Sequence, residues 1–201
     1  MSEVWKPIDL EYKELPGLSK KLLSDHFKLY LGYLDRFNAI EKKIADLPKK
    51  VDRFEYQRLM SEEGFLRNAI YLHELYFEQL TKGGMGSPEH LFEKDTDELL
   101  DRMSLLALGS TGWVVLAMDL WRGQEFLFTM KEHGQGYVAG SWPLLVLDCY
   151  EHAYMREYGL DKSGYIGAFF GNVNWNVVGQ RGREAMEMVE ISPAPGEAPA
   201  R

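Results

Sequence analysis

The 201-residue chain is 45% hydrophobic, 27% charged and 13% aromatic, ordinary proportions for a globular protein whose core is rich in large side chains. Its formal net charge of −8, with no basic stripe, argues against nucleic acid as a partner, and no uncharged apolar run is long enough to span a membrane. Cys149 is the only cysteine, which excludes an internal disulfide, and the opening MSEVWKPIDLEYKEL has no leader pattern, so a cytoplasmic location is expected.

Pro7 and Pro16 bracket an irregular opening segment. Beyond Ser19, a residue type suited to a helix N-cap, apolar positions Leu22, Leu23, Phe27, Tyr30, Leu34 and Phe37 recur at intervals of three and four, the period of an amphipathic helix. Pro48 and the lysines after it predict a turn. A second helical stripe follows, through Leu59, Leu66, Ala69, Ile70, Tyr76, Phe77 and Leu80, and closes at the glycine-rich TKGGMGSP. Two long helices joined by a turn form an antiparallel hairpin, so residues 1–86 read as an N-terminal helical-hairpin domain.

Residues 87–190 have a different texture and read as a C-terminal α/β domain. A helical stretch, DTDELLDRMSLLAL, leads into three β-rich runs, GWVVLAMD, QEFLFTMK and PLLVLD. Helical patterns resume at CYEHAYMREY and continue to about Val189. Residues 191–201, almost all SPAPGEAPAR, have little to bury and are expected to be a disordered tail.

The chemistry concentrates in LDCYEHAYMREYG, residues 147–159, where Asp148 and His152 directly follow an apolar run. His26 lies on the apolar stripe of the first helix and His73 on that of the second. Either alone reads as a packed core histidine, but antiparallel packing can bring both to one place, where His152 arrives with Asp148. On its own the segment is explained equally well by Asp148 capping the next helix while His152 packs. All four together favour a metal. Three neutral imidazoles and one carboxylate suit iron, manganese or zinc, with a position left for solvent, and zinc fits less well because its structural sites are usually closed by thiolates. None of the five histidines has Glu three residues before it, so a di-iron carboxylate bundle fits worse.

Several segments resemble motifs of the iron/manganese superoxide dismutase family. DCYEHAYMREY followed by YIGAFFGNVNW resembles its D-x-W-E-H-A-Y and Y-I-x-x-F-W-N-V-V-N-W signatures. HELYFEQL, LSKKLLSDHF and GSTGWVVL are similar to its second-ligand motif, first helix and first strand, so the likeness runs from about Leu18 to Arg181. The resemblance implies an α+β fold in which the hairpin joins a domain with a three-stranded antiparallel sheet and surrounding helices. It implies one iron or manganese ion per subunit, bound by His26, His73, Asp148, His152 and a solvent, and conversion of superoxide to dioxygen and hydrogen peroxide by a homodimer or homotetramer. A scaffold that keeps the fold and metal without dismutating is the alternative.

By position, the same resemblance places His133, from TMKEHGQG, beside the metal-bound solvent, with the small Ala69 leaving it room. It assigns Tyr33 to the substrate funnel, although Tyr33 follows His26 by seven residues where relatives use eight. Trp113, Tyr150, Trp175 and Phe77 are expected to wall the site. Glu151 is expected to hydrogen-bond the last histidine ligand of the partner subunit, and Arg181 to act as a gateway charge for the anion. Tyr30 and Met155 stand where relatives carry a His–Tyr link across the dimer.

Overall fold

The computed structural model describes residues 4–9, 14–89, 91, 92 and 95–191. The tail expected over 191–201 lies outside them except for Ile191, which still belongs to the last helix, and His90 lies outside them too. Helix α1, Lys20–Ala45, starts where the Ser19 hydroxyl accepts the Leu22 N–H at 3.1 Å. Helix α2, Arg53–Glu78, starts where the Asp52 carboxylate accepts the N–H groups of Phe54 and Glu55. Contacts between them run in opposite directions: Arg36 pairs with Glu62, while the His26 and His73 rings lie 5.1 Å apart. The pair is therefore the expected antiparallel hairpin, and its seam is built of Leu22, Leu23, Phe27, Tyr30 and Leu34 against Leu59, Leu66, Ile70 and Phe77, all buried.

Helix α3, Thr96–Gly109, leads into the sheet. Strands β1 (Trp113–Asp119), β2 (Gln124–Met130) and β3 (Ser141–Asp148) are antiparallel in the order β2-β1-β3. The first six residues of β1 are buried, as its continuous apolar run requires of a central strand. Trp113 pairs with Met130 on one side and Asp148 on the other. This register brings the end of β2, the end of β3 and the turn carrying His133 to the same end of the sheet.

Gly112 makes that convergence possible. A Cβ there would sit 2.0 Å from the Met130 carbonyl oxygen and 2.8 Å from that of Lys131. Any side chain would push the end of β2 away. Helices α4 (Glu151–Tyr158), α5 (Lys162–Phe170) and α6 (Trp175–Ile191) complete the fold. The glycine-rich segment after α2 is pinned to the loop before α6, through bridges pairing Leu80 with Val173 and Met85 with Asn174.

Candidate metal centre

Four elements deliver the four expected ligands. His26 comes from α1, His73 from α2, Asp148 from the last position of β3 and His152 from the first turn of α4. One potential ligand atom from each lies within 4.8 Å of the others. Asp148 Oδ2 is 3.0 Å from His26 Nε2, 3.0 Å from His152 Nε2 and 3.8 Å from His73 Nε2. His26, His73 and Asp148 are at most 1% exposed, whereas the His152 side chain keeps 28% of its surface in contact with solvent.

The local bonding leaves the right atoms bare. His73 Nδ1–H donates to the Ala69 carbonyl at 2.6 Å, which fixes the tautomer and leaves Nε2 with a free lone pair, 3.8 Å from Asp148 Oδ2. His26 Nδ1, His26 Nε2 and His73 Nε2 are buried with no hydrogen-bond partner; His26 Nε2 stands close to the carboxylate but out of line for a hydrogen bond. Buried polar nitrogens without partners are costly. A cation held among them would satisfy Nε2 of both rings and the Asp148 charge at once, so these residues fit a metal ion.

The electrostatics agree. Burial pushes His26 down, and burial together with the neighbouring His26 pushes His73 well down, so both rings are neutral and able to ligate. Burial alone would raise the Asp148 carboxyl, but His152 and His26 overcome it and hold the group well below the usual carboxylate range. His152 runs the other way: burial lowers its affinity for a proton, yet the charge of Asp148 and the bond to it prevail and raise the value, so this ring would give up its proton on binding a metal.

Around these four lies a hydrogen-bonded shell. The Trp113 indole N–H donates to His133 Nδ1 at 2.9 Å. An indole nitrogen only donates, so Nδ1 is unprotonated and the His133 proton sits on Nε2. That nitrogen lies 3.3 Å from the Tyr33 hydroxyl oxygen and donates to it. Burial drives His133 down to about 4, so the ring stays neutral around neutrality. Tyr33 is raised by burial and by the charge of Asp148. Seven residues make nearly two helical turns, which keeps Tyr33 on the face of α1 that carries His26, with its ring centre 5.4 Å from that of His73. The departure from the family's spacing therefore does not turn Tyr33 away.

Other predicted wall residues divide. Trp113 lies edge-on to His73 at 5.0 Å, Phe77 packs on His26 at 5.0 Å, and Tyr150 stacks on His152 at 5.3 Å. Trp175 is buried at the start of α6, but among the described residues no ring contact joins it to the four. Glu151 is exposed beside His152.

Arg181 departs from expectation. The residue is 6% exposed, and its guanidinium donates to the carbonyls of Leu75 and Leu144 and to the side chains of Gln79 and Glu78, so it clamps α6 to α2 and β3 instead of offering a charge to an incoming anion. Its spacing from Trp175 matched the family pattern; its burial could not be read from a single arginine on a helix.

Some residues have roles that no sequence pattern specifies. Asn68 Nδ2 donates to the His133 carbonyl at 2.8 Å and anchors the turn to α2. Tyr165 donates to the Asp148 carbonyl at 2.7 Å and meets the Tyr76 hydroxyl at 3.2 Å. Both tyrosines lie in apolar stripes, where they are indistinguishable from packing residues.

The model of the C-terminal domain of iron/manganese superoxide dismutases matches residues 92–181. An iron superoxide dismutase of Aquifex pyrophilus is 35% identical over 196 residues, covering 90% of this chain and 92% of the relative. One of Cupriavidus metallidurans, also named for iron, is 33% identical, covering 85% and 91%. A manganese superoxide dismutase of Haloferax volcanii is 29% identical, covering 94% and 100%. With this likeness spanning nearly the whole chain, and the ligand motifs meeting at one point, the chain belongs to the iron/manganese superoxide dismutase family.

Proposed function

We propose that His26, His73, Asp148 and His152 hold the single iron or manganese ion of a superoxide dismutase, and that Tyr33 and His133 serve it as a proton relay. The observation that carries the assignment is the set of bare imidazole nitrogens converging on a buried carboxylate, a waste of free energy in any role but ligation. The chemistry supplied by a bound ion is one-electron exchange: one superoxide is oxidised to dioxygen, and a second is reduced and leaves with two protons as hydrogen peroxide.

The chain's own residues would handle the protons and exclude bulk water. Because Trp113 fixes the His133 proton on Nε2, and that proton is donated to the Tyr33 oxygen, the Tyr33 O–H is left free to donate away from His133. Burial keeps Tyr33 protonated at neutral pH, ready to give a proton to reduced substrate. Trp113, Phe77 and Tyr150 limit access, and the 28% exposure of the His152 side chain marks the wettest side of the site.

A homodimer, or a tetramer of two such dimers, is our reading of the assembly, with the exposed Glu151 reaching the His152 of a second copy. A cytoplasmic location is supported by the lone buried Cys149, and no helix among the described residues is long and apolar enough to cross a membrane.

The test is suppression of superoxide-driven dye reduction by purified protein of measured metal content. Wild type should suppress in proportion to its iron or manganese, and Asp148→Ala should lose both metal and suppression. Tyr33→Phe should keep its metal while turning over about tenfold more slowly, a modest effect for a lost proton donor. Metal bound without suppression would favour the non-dismutating scaffold.

A further inference from the structure

The outer edge of β3 has no strand beside it among the described residues, yet four of its main-chain groups are engaged by side chains. In an antiparallel pair, alternate residues turn their N–H and C=O toward the neighbour and away from it. Cys149 N–H donates to the Gly112 carbonyl at 2.8 Å, so Asp148, Val146 and Leu144 face outward. Arg181 of α6 donates to the Leu144 carbonyl at 3.3 Å. Gln79, the C-cap of α2, donates to the Val146 carbonyl and accepts the Val146 N–H at 3.1 Å. Tyr165 of α5 donates to the Asp148 carbonyl at 2.7 Å. Three side chains from three segments thus stand where a fourth strand would pair.

Gln79 is the centre of this ladder. It is fully buried, and its Oε1 also accepts from Arg181 at 3.1 Å. It lies at the end of the helix that carries His73, while Val146 precedes Asp148 on β3, so one carboxamide ties two ligand-bearing elements whose bonded residues are 67 apart in sequence. A neutral amide of this length can donate and accept at Val146 together, whereas a carboxylate cannot donate and an apolar residue can do neither.

We propose that Gln79 is a positioning residue of the metal centre, setting where β3 presents the Asp148 carboxylate relative to the His73 imidazole on α2. The inference rests on the reading that these residues hold a metal ion. Neither Gln79 nor its amide touches a ligand atom; its action passes through the strand.

The experiment compares metal-loaded wild type with Gln79→Met, which keeps length but loses both bonds, and with Ile40→Ala, a buried-core change at the far end of α1. Gln79→Met should release iron or manganese to a chelator about 10–100-fold faster than wild type, with an altered absorption or electron paramagnetic resonance spectrum of the bound ion. Ile40→Ala should lower the melting temperature while releasing metal at the wild-type rate. The inference is overturned if Gln79→Met lowers the melting temperature but releases metal less than about tenfold faster, with an unchanged spectrum. Should Gln79→Met fail to fold, Gln79→Asn, whose amide is one methylene short of Val146, decides by the same two readings. A wild-type protein that takes up neither metal would instead remove the ligand assignment, and this inference with it.

Discussion

His133 shows how one side chain's proton is fixed by its neighbours. Trp113 donates to Nδ1, Tyr33 receives from Nε2, and burial lowers the ring to about 4 against an ordinary value of 6.5. The sign follows from linkage: between pH 6.5 and 4 the unfolded chain binds a proton that the folded chain refuses, so stability falls as the pH drops through that window. The loss is on the order of 3 kcal/mol by the bottom of the range. His133→Gln keeps a donor and an acceptor but does not titrate. Its melting temperature should therefore fall less than that of wild type between pH 7 and pH 5, and an unchanged slope would show that His133 does not set it. The family resemblance pointed to His133, but its tautomer was not legible, because the partner that fixes it, Trp113, lies 20 residues away in sequence and reads as core.

The helical hairpin is the element on which two of the four proposed ligands depend, and it was readable because an apolar stripe recurs along both helices, interrupted in α2 by the buried Glu63 between Leu59 and Leu66. The three strands were readable because short runs rich in β-branched and aromatic residues are bounded by turn residues. The edge of β3 was invisible. Gln79, Tyr165 and Arg181 act through main-chain atoms of a distant strand, and no local pattern marks a side chain that will meet a backbone edge. The same limit explains Arg181, whose charge suggested solvent while its bonds required burial. On α2, Leu66 is fully buried in the hydrophobic core. Leu66→Ala should cost about 2–5 kcal/mol of stability, measured by denaturant unfolding. A cost near zero would mean that the hairpin is not packed as described.

For the whole molecule, the bare nitrogens and buried carboxylate link folding to metal. Anything that binds the folded chain alone stabilises it, by about 4 kcal/mol at a thousandfold excess over the dissociation constant. Stripping the metal with a chelator should lower the melting temperature by about 10 °C for a chain of this size, and restoring iron or manganese should recover it. A melting temperature indifferent to chelation would argue against the centre. Assembly is testable separately: Glu151→Ala should shift the sedimentation of a dimer toward monomer, whereas an unchanged species would place the interface elsewhere. The convergence of α1, α2, β3 and α4 on one ion is tested most directly by anomalous diffraction from crystals of the metal-loaded protein, recorded at the iron and manganese absorption edges. One strong peak per chain, enclosed by His26, His73, Asp148 and His152, is the predicted result; density without an anomalous peak among those four side chains, or a peak elsewhere, would contradict it.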